Sequence, residues 1–400
     1  MFSYKKKLDP NLKDYMKFNL YRSYRVLIKH TNFSDFLMKK ITSYKGKIIR
    51  KITNCNLICA KLNNKAIERL LEYPEVDYIF LDTYLHLCGN NVKSSNKFNL
   101  SINSSITGTN IGIGIVDSGV YPHKDLTVPY NRISFFEDLV NGISYPYDDN
   151  GHGTCISGIL SGNGESSNGV YKGIASSSSL YCFKAFDALG KGFVSDVLYS
   201  IDKLINMAVD YNIKVLCLPF ELLNYNKFIF EEFDSLFKIA TTKNIIPVVP
   251  SGSINNIIDG SMTGIALSKN CLTVSGLNSN SSIKPFLYSS AACNKKDYKP
   301  DFAAACVDIV SLNCNVSYIS EKNNIRIPAP KLNTSYTTFT GTSLSAAYIA
   351  GVCALLFDFN PELSFDDVVS MLKASCKFLD LPSNIQGEGI INIKKIIKVR

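Results

Sequence analysis

The chain has 400 residues, 46% hydrophobic and 19% charged, which is enough apolar mass for a sizeable core and more length than one average domain uses. Its net charge of +9 is confined to one end: the first 100 residues carry 19 Lys and Arg against 8 Asp and Glu, and the remaining 300 carry 24 against 26. A solvated basic surface on a small N-terminal region, with no DNA-docking element beside it, excludes a nucleic-acid partner from the expectation.

Residues 1–21 read as an N-terminal extension. They contain Lys5-Lys6-Lys7 but no apolar stretch of signal-peptide length, and no later segment approaches a membrane span, so the expectation is a cytoplasmic chain with no membrane partner. Over 22–87 the pattern alternates. Arg25–Lys29 predicts a strand, Ser34–Ile41 a capped helix, Lys47–Leu62 two strands, Asn63–Tyr73 a helix and Val76–Leu81 a closing strand. That βαββαβ order is a split-βαβ, ferredoxin-like α+β unit. Residues 88–109, rich in Asn, Ser, Lys and Gly, read as a linker.

From residue 110 to 400 short apolar runs (Ile111–Val116, Leu180–Phe183, Val215–Leu218, Ile245–Val249, Leu272–Val274) alternate with longer helical stretches (Val194–Tyr211, Phe228–Thr241, Thr342–Phe357). Buried strands interleaved with helices predict an α/β domain, a mostly parallel sheet covered on both faces. The 12 cysteines sit mostly inside apolar runs, form no paired CxxC clusters, and stand beside only four histidines. They read as reduced thiols rather than zinc ligands.

Three short segments carry chemistry. Ile115-Val116-Asp117-Ser118-Gly119 places an acid at the carboxyl end of a strand, facing the crevice that α/β proteins use. Asn150-Gly151-His152-Gly153-Thr154 sets an imidazole between glycines at a helix start, where a substrate can approach, and His152 is the best-placed general base of the larger domain. Gly341-Thr342-Ser343 feeds an apolar helix and presents a hydroxyl at its mouth. Each alone is a weak signal, since strand-end acids, capping loops and Gly-Thr-Ser turns are mostly structural. Together, in the order Asp, His, Ser with wide spacing, they are the arrangement of one class of serine peptidase.

On these residues the chain resembles the subtilases over roughly 22–375. Gly169–Ala175 and Lys299–Ala303 are similar to the family's connecting segments. The resemblance implies a subtilisin-like serine endopeptidase with Asp117, His152 and Ser343 as triad, acting on protein or peptide substrates through an acyl-enzyme. It also implies that 22–87 is an inhibitory propeptide, the chain's own partner, removed by cleavage within 84–105.

The sequence departs from the family near the expected site. Ser253, in Pro250-Ser251-Gly252-Ser253, stands where the family has an oxyanion-stabilising Asn. Pro219-Phe220-Glu221 stands at the substrate-binding strand, where the family has Ser-Leu-Gly, and Ala347 replaces a Pro in the serine helix. Leu218, Pro219, Phe220, Glu221, Ser251 and Gly252 are the expected substrate-binding residues, and Glu221 would favour a basic substrate residue. An active processing peptidase of narrow specificity is one reading. A pseudoprotease that binds a peptide or partner is the other. No cofactor is expected. The resemblance raises a structural calcium, with Asp125, Glu165 and Asn168 as the nearest oxygen donors, and no metal is assigned.

Overall fold

A computed structural model describes residues 7–31, 34–87, 106–223, 225–253, 260–279, 282–293 and 299–397. The chain divides into two compact units, one of residues 1–84 with 193–203, the other of 85–192 with 204–400. The linker expected at 88–109 lies largely outside the described residues.

In the first unit four antiparallel strands run in the spatial order Lys47–Ile52, Leu57–Leu62, Tyr24–His30, Val76–Leu81. Helices Ser34–Ser43 and Asn64–Leu71 complete the βαββαβ sequence. The strands bury Val26, Ile28, Ile58, Ala60 and Ile79 against Leu37, Ile41, Ile67 and Leu70 of the helices. A helix that the sequence pattern did not mark, Pro10–Lys17, is capped by Asp9, whose carboxylate accepts the Leu12 N–H. Its Leu12 and Met16 join the same core.

The second unit is built on an eight-stranded sheet. From one edge the order is Lys284–Pro285, Leu272–Asn278, Ile246–Pro250, Ile213–Cys217, Gly112–Asp117, Ser179–Lys184 and Ile133–Asp138, with Phe302–Ala305 also alongside Leu272–Asn278. All pairings are parallel except that of Lys284–Pro285. Gly112–Asp117 is buried at every position, as expected for a strand covered on both faces. Ile133–Asp138 escaped the sequence reading because an edge strand needs no continuous apolar run: only its first and last residues are buried.

The helix Thr342–Phe359 is the spine of the unit's core. It is long and apolar enough by composition to cross a membrane, which the sequence reading did not anticipate, and 83% of that stretch is buried inside the fold. Leu344, Ile349, Val352 and Leu356 pack with Ile113, Ile115, Val215, Val248 and Val274 of the strands. Cys155, Cys182, Cys217, Cys306 and Cys353 lie in this core as small hydrophobes.

After Gly112–Asp117 the chain builds Ile133–Asp138 and Ser179–Lys184 to one side, then crosses to Ile213–Cys217 on the other. The order of the strands thus reverses between Gly112–Asp117 and Ile213–Cys217. Such a reversal opens a crevice at the carboxyl ends of the strands, the usual place for a ligand in an open parallel sheet.

Candidate active site

Asp117 closes the strand at that crevice and is 1% exposed. His152 opens the helix His152–Ser161, and its Nδ1 lies 2.9 Å from both Asp117 Oδ1 and Oδ2. A ring nitrogen held between two carboxylate oxygens is satisfied as an N–H donor, which leaves Nε2 on the opposite side of the ring. The Ser118 N–H donates to Asp117 Oδ1 at 2.6 Å and so helps to fix the carboxylate.

Backbone crowding enforces this approach. A Cβ on Gly153 would lie 2.0 Å from the Gly119 carbonyl oxygen, and one on Gly119, at φ +123°, would lie 2.2 Å from that of Tyr147. Only glycine fits either place. Two buried side chains that the sequence reading missed tie the loops together. Asp148 accepts hydrogen bonds from Ser118 Oγ (2.9 Å), the Asn150 and Gly151 N–H groups (3.1 and 2.8 Å) and Thr154 N–H and Oγ1 (2.8 and 2.6 Å). Lys184 Nζ donates to the carbonyls of Ser118 (2.6 Å) and Phe186 (2.9 Å) and to Asp149 Oδ1 (2.6 Å). The available signal was a single Lys ending the apolar run Leu180–Phe183, and an acid four residues before His152.

Ser343 is the second residue of the Thr342–Phe359 helix and is fully buried. Its Oγ donates to the Pro219 carbonyl at 3.0 Å. Pro219 follows Ile213–Cys217, the strand neighbouring Gly112–Asp117, so Ser343 rests beyond the end of the strand next to the one that Asp117 closes. The partial positive charge at the start of an 18-residue helix favours an anion beside Ser343.

The residues expected to bind substrate lie along the next two segments. Leu218 and Phe220 point into the core and are fully buried. The backbone of Phe220–Glu221 pairs antiparallel with Leu87 and His86 of the same unit. Ser251 bonds Ser289 Oγ at 3.0 Å, and the Gly252 carbonyl accepts Thr342 Oγ1 at 3.3 Å. Ser253 Oγ lies 3.2 Å from Thr342 Oγ1, next in the chain to Ser343, while its N–H donates to Glu221 Oε2 at 2.9 Å. Cys155, three residues past His152, has its thiol pushed well up by burial, which keeps it neutral and unreactive.

The oxygen donors considered for calcium do not fit one. Asp125 is fully buried, with Oδ1 taken by the Ser166 N–H at 2.9 Å and Oδ2 by the Tyr336 hydroxyl, which also meets Ser167 Oγ at 3.0 Å. Glu165 pairs with Lys124 at 3.4 Å. A calcium ion needs six to eight oxygens converging on one point. Among the described residues no group of three or more His, Cys, Asp or Glu could hold a metal.

Comparison with known proteins agrees with this architecture. The subtilase family model matches residues 108–389. The chain is 28% identical to serine protease AprX of Bacillus subtilis, covering 88% of this chain and 81% of that protein. It is 25% identical to subtilisin E of the same organism, covering 93% and 90%. The fold matches the crystal structure of fervidolysin, a keratinolytic enzyme related to subtilisin from Fervidobacterium pennivorans, with a TM-score of 0.71 at 18% identity. That match covers 95% of this chain and 61% of the longer fervidolysin chain. The chain belongs to the subtilase family of serine proteases.

Proposed function

We propose that the protein is a serine endopeptidase in which Asp117, His152 and Ser343 form the working triad. The observation that carries this is the Asp117–His152 contact, 2.9 Å from Nδ1 to each carboxylate oxygen. His152 Nε2 takes the Ser343 proton as Oγ attacks a peptide carbonyl, and Asp117 holds the ring and stabilises the imidazolium. Collapse of the tetrahedral intermediate returns the proton to the leaving amine and forms an acyl-enzyme, which water then hydrolyses. Ser253 Oγ and the first-turn N–H groups of the Ser343 helix face the developing oxyanion.

The first unit acts, in this reading, as a propeptide that is cut away, and the segment that follows it lies on the substrate track. Support comes from the antiparallel pairing of His86 and Leu87 with Glu221 and Phe220, the hydrogen-bonding mode of an extended peptide on a strand edge. Replacement at Pro219, Glu221 and Ser253 narrows the substrates accepted. The test is the intact mass of the purified wild type beside Ser343→Ala after incubation. A wild type shortened within 84–105, with the variant still at 44.4 kDa, is the expected result.

A second reading, a peptide-binding pseudoprotease, is favoured by one observation: a short hydroxyl engaged with Thr342 replaces the amide donor. Both proteins remaining full length, with Ser343 unlabelled by a fluorophosphonate, would select it.

A further inference from the structure

In the first unit, residues 13–22 read Lys-Asp-Tyr-Met-Lys-Phe-Asn-Leu-Tyr-Arg and carry the helix Pro10–Lys17 into a turn. Of their apolar side chains Met16 enters the core. Tyr15, Phe18, Leu20 and Tyr21 are 38%, 66%, 54% and 61% exposed, four large apolar side chains within seven residues. Exposed apolar residues scattered singly need no account, whereas a contiguous group marks a contact surface. This group is contiguous. The Tyr15 and Tyr21 rings meet edge to face at 6.1 Å, and the Leu20 N–H donates to the Tyr15 carbonyl at 3.1 Å.

The fold holds these side chains outward. Buried Tyr24 donates its hydroxyl to the Tyr15 carbonyl at 2.9 Å, and its ring meets that of Tyr21 at 5.9 Å. Asn64 Nδ2 donates to the Met16 carbonyl at 3.1 Å and to Asn19 Oδ1 at 2.7 Å. Asn19 takes the left-handed conformation, φ +50°, which Asn adopts more readily than most residues. A turn fixed at both ends presents its side chains with little left to order on binding.

Charge decides what covers the group. Lys13, Lys17 and Arg22 are exposed around it, with Asp14 as the acid among them, and Lys17 Nζ lies 5.4 Å from the centre of the Phe18 ring. The first 100 residues as a whole carry 19 Lys and Arg against 8 Asp and Glu. A symmetric contact with a second copy would set these cations against one another. An anionic lipid interface complements them and needs no shaped pocket. The rings and Leu20 enter between headgroups, while the Lys and Arg ends stay at the level of the phosphates.

We propose that residues 15–22 dock the first unit on an anionic lipid surface. Apolar insertion and a basic rim are two signals that together hold a protein on a bilayer without a spanning helix. The expectation of no membrane partner rests on the lack of a spanning segment, which does not bear on surface binding. Docking of this kind does not depend on peptidase activity, so the full chain carrying Ser343→Ala tests it without self-cleavage entering the assay.

The first readout is sedimentation with phosphatidylcholine vesicles, with and without about one-third phosphatidylserine. Binding to the anionic vesicles should be at least about tenfold tighter. Phe18→Ser combined with Leu20→Ser and Tyr21→Ser should weaken it by at least about tenfold, and so should Lys13→Ser combined with Lys17→Ser and Arg22→Ser. All six side chains are exposed, so the fold should tolerate both sets. Lys39→Ser, Lys47→Ser and Lys51→Ser together remove the same charge from other exposed positions of the unit and should change binding little. An equal loss in that control, equal binding to both kinds of vesicle, or binding to neither overturns the proposal. A dimer in light scattering that the apolar substitutions abolish, without vesicle binding, assigns the group to a second copy instead. A second readout is spectroscopic. The chain has no tryptophan, so Phe18→Trp places a single reporter in the turn. Its emission should move to the blue on anionic vesicles and be quenched by brominated lipid, and an unchanged spectrum overturns the proposal.

Discussion

Lys184 Nζ donates at 2.6 Å to the main-chain carbonyl of Ser118, one residue beyond Asp117, from a position with no solvent exposure. The same ammonium holds Asp149 and the Phe186 carbonyl, so one buried cation joins the loop after the Asp117 strand to the loop that precedes His152. Removing one partner of a buried charge pair costs roughly 3–5 kcal/mol, because the remaining polar groups lose their compensation. Lys184→Met should therefore lower unfolding stability by about that amount in denaturant titrations. It should also lower kcat more than it raises KM, since the Asp117–His152 alignment loosens while the substrate strands do not change.

The pairing of Asp117 with His152 was legible because the chemistry of these two residues dictates their neighbours. Asp117 ends an apolar strand, and His152 needs Gly153, whose missing side chain allows the close approach to Gly119. Asp148 and Lys184 were not legible, although they hold those residues in register. A buried Asp satisfied by backbone N–H groups looks in sequence like any loop acid, and two of the three partners of Lys184 are 35 and 66 residues away. The edge strand Ile133–Asp138 and the capped helix Pro10–Lys17 were missed because each buries too few apolar residues to impose a period.

Asp125 and Tyr336 bear on metal dependence. The tyrosine hydroxyl and the Ser166 N–H occupy the carboxylate where a cation would bind, and burial pushes the Tyr336 hydroxyl to stay protonated as a donor. Tyr336→Phe should cost roughly 1–3 kcal/mol by leaving Asp125 Oδ2 buried without that donor. Chelation with EDTA should leave the melting temperature of the wild type unchanged. A fall in melting temperature on chelation, reversed by calcium, would contradict this account of Asp125.

His123 sets an acid limit. It is 2% exposed, with Nδ1 accepting the Asp125 N–H at 3.0 Å and Nε2 facing the Ser335 carbonyl at 3.0 Å. Burial lowers its pKa from 6.5, outweighing the opposing pull of the Asp125 carboxylate 3.6 Å away. The unfolded chain thus binds this proton first. Stability from His123 is complete above the unfolded value near 6.5 and is lost as pH falls through it, by up to about 1.4 kcal/mol per pH unit until the folded ring protonates. His123→Asn keeps an acceptor for the Asp125 N–H but does not titrate. Its melting temperature should fall less steeply than that of the wild type between pH 6.5 and 5.

On the proposed mechanism Ser253 faces the oxyanion, and the effect of that replacement on the rate can be reversed. Its hydroxyl lies against Thr342 Oγ1 at 3.2 Å, and a single rotatable O–H shared with Thr342 is a weaker oxyanion donor than a fixed amide. In subtilisin, loss of the corresponding amide costs on the order of 10²–10³ in kcat. Ser253→Asn should accordingly raise kcat by about tenfold or more with little change in KM, because the added donor acts on the oxyanion and not on the ground-state carbonyl. Steady-state kinetics of the variant on a peptide substrate measures this. A kcat unchanged would mean that Ser253 does not face the oxyanion and that stabilisation comes from the helix carrying Ser343 alone.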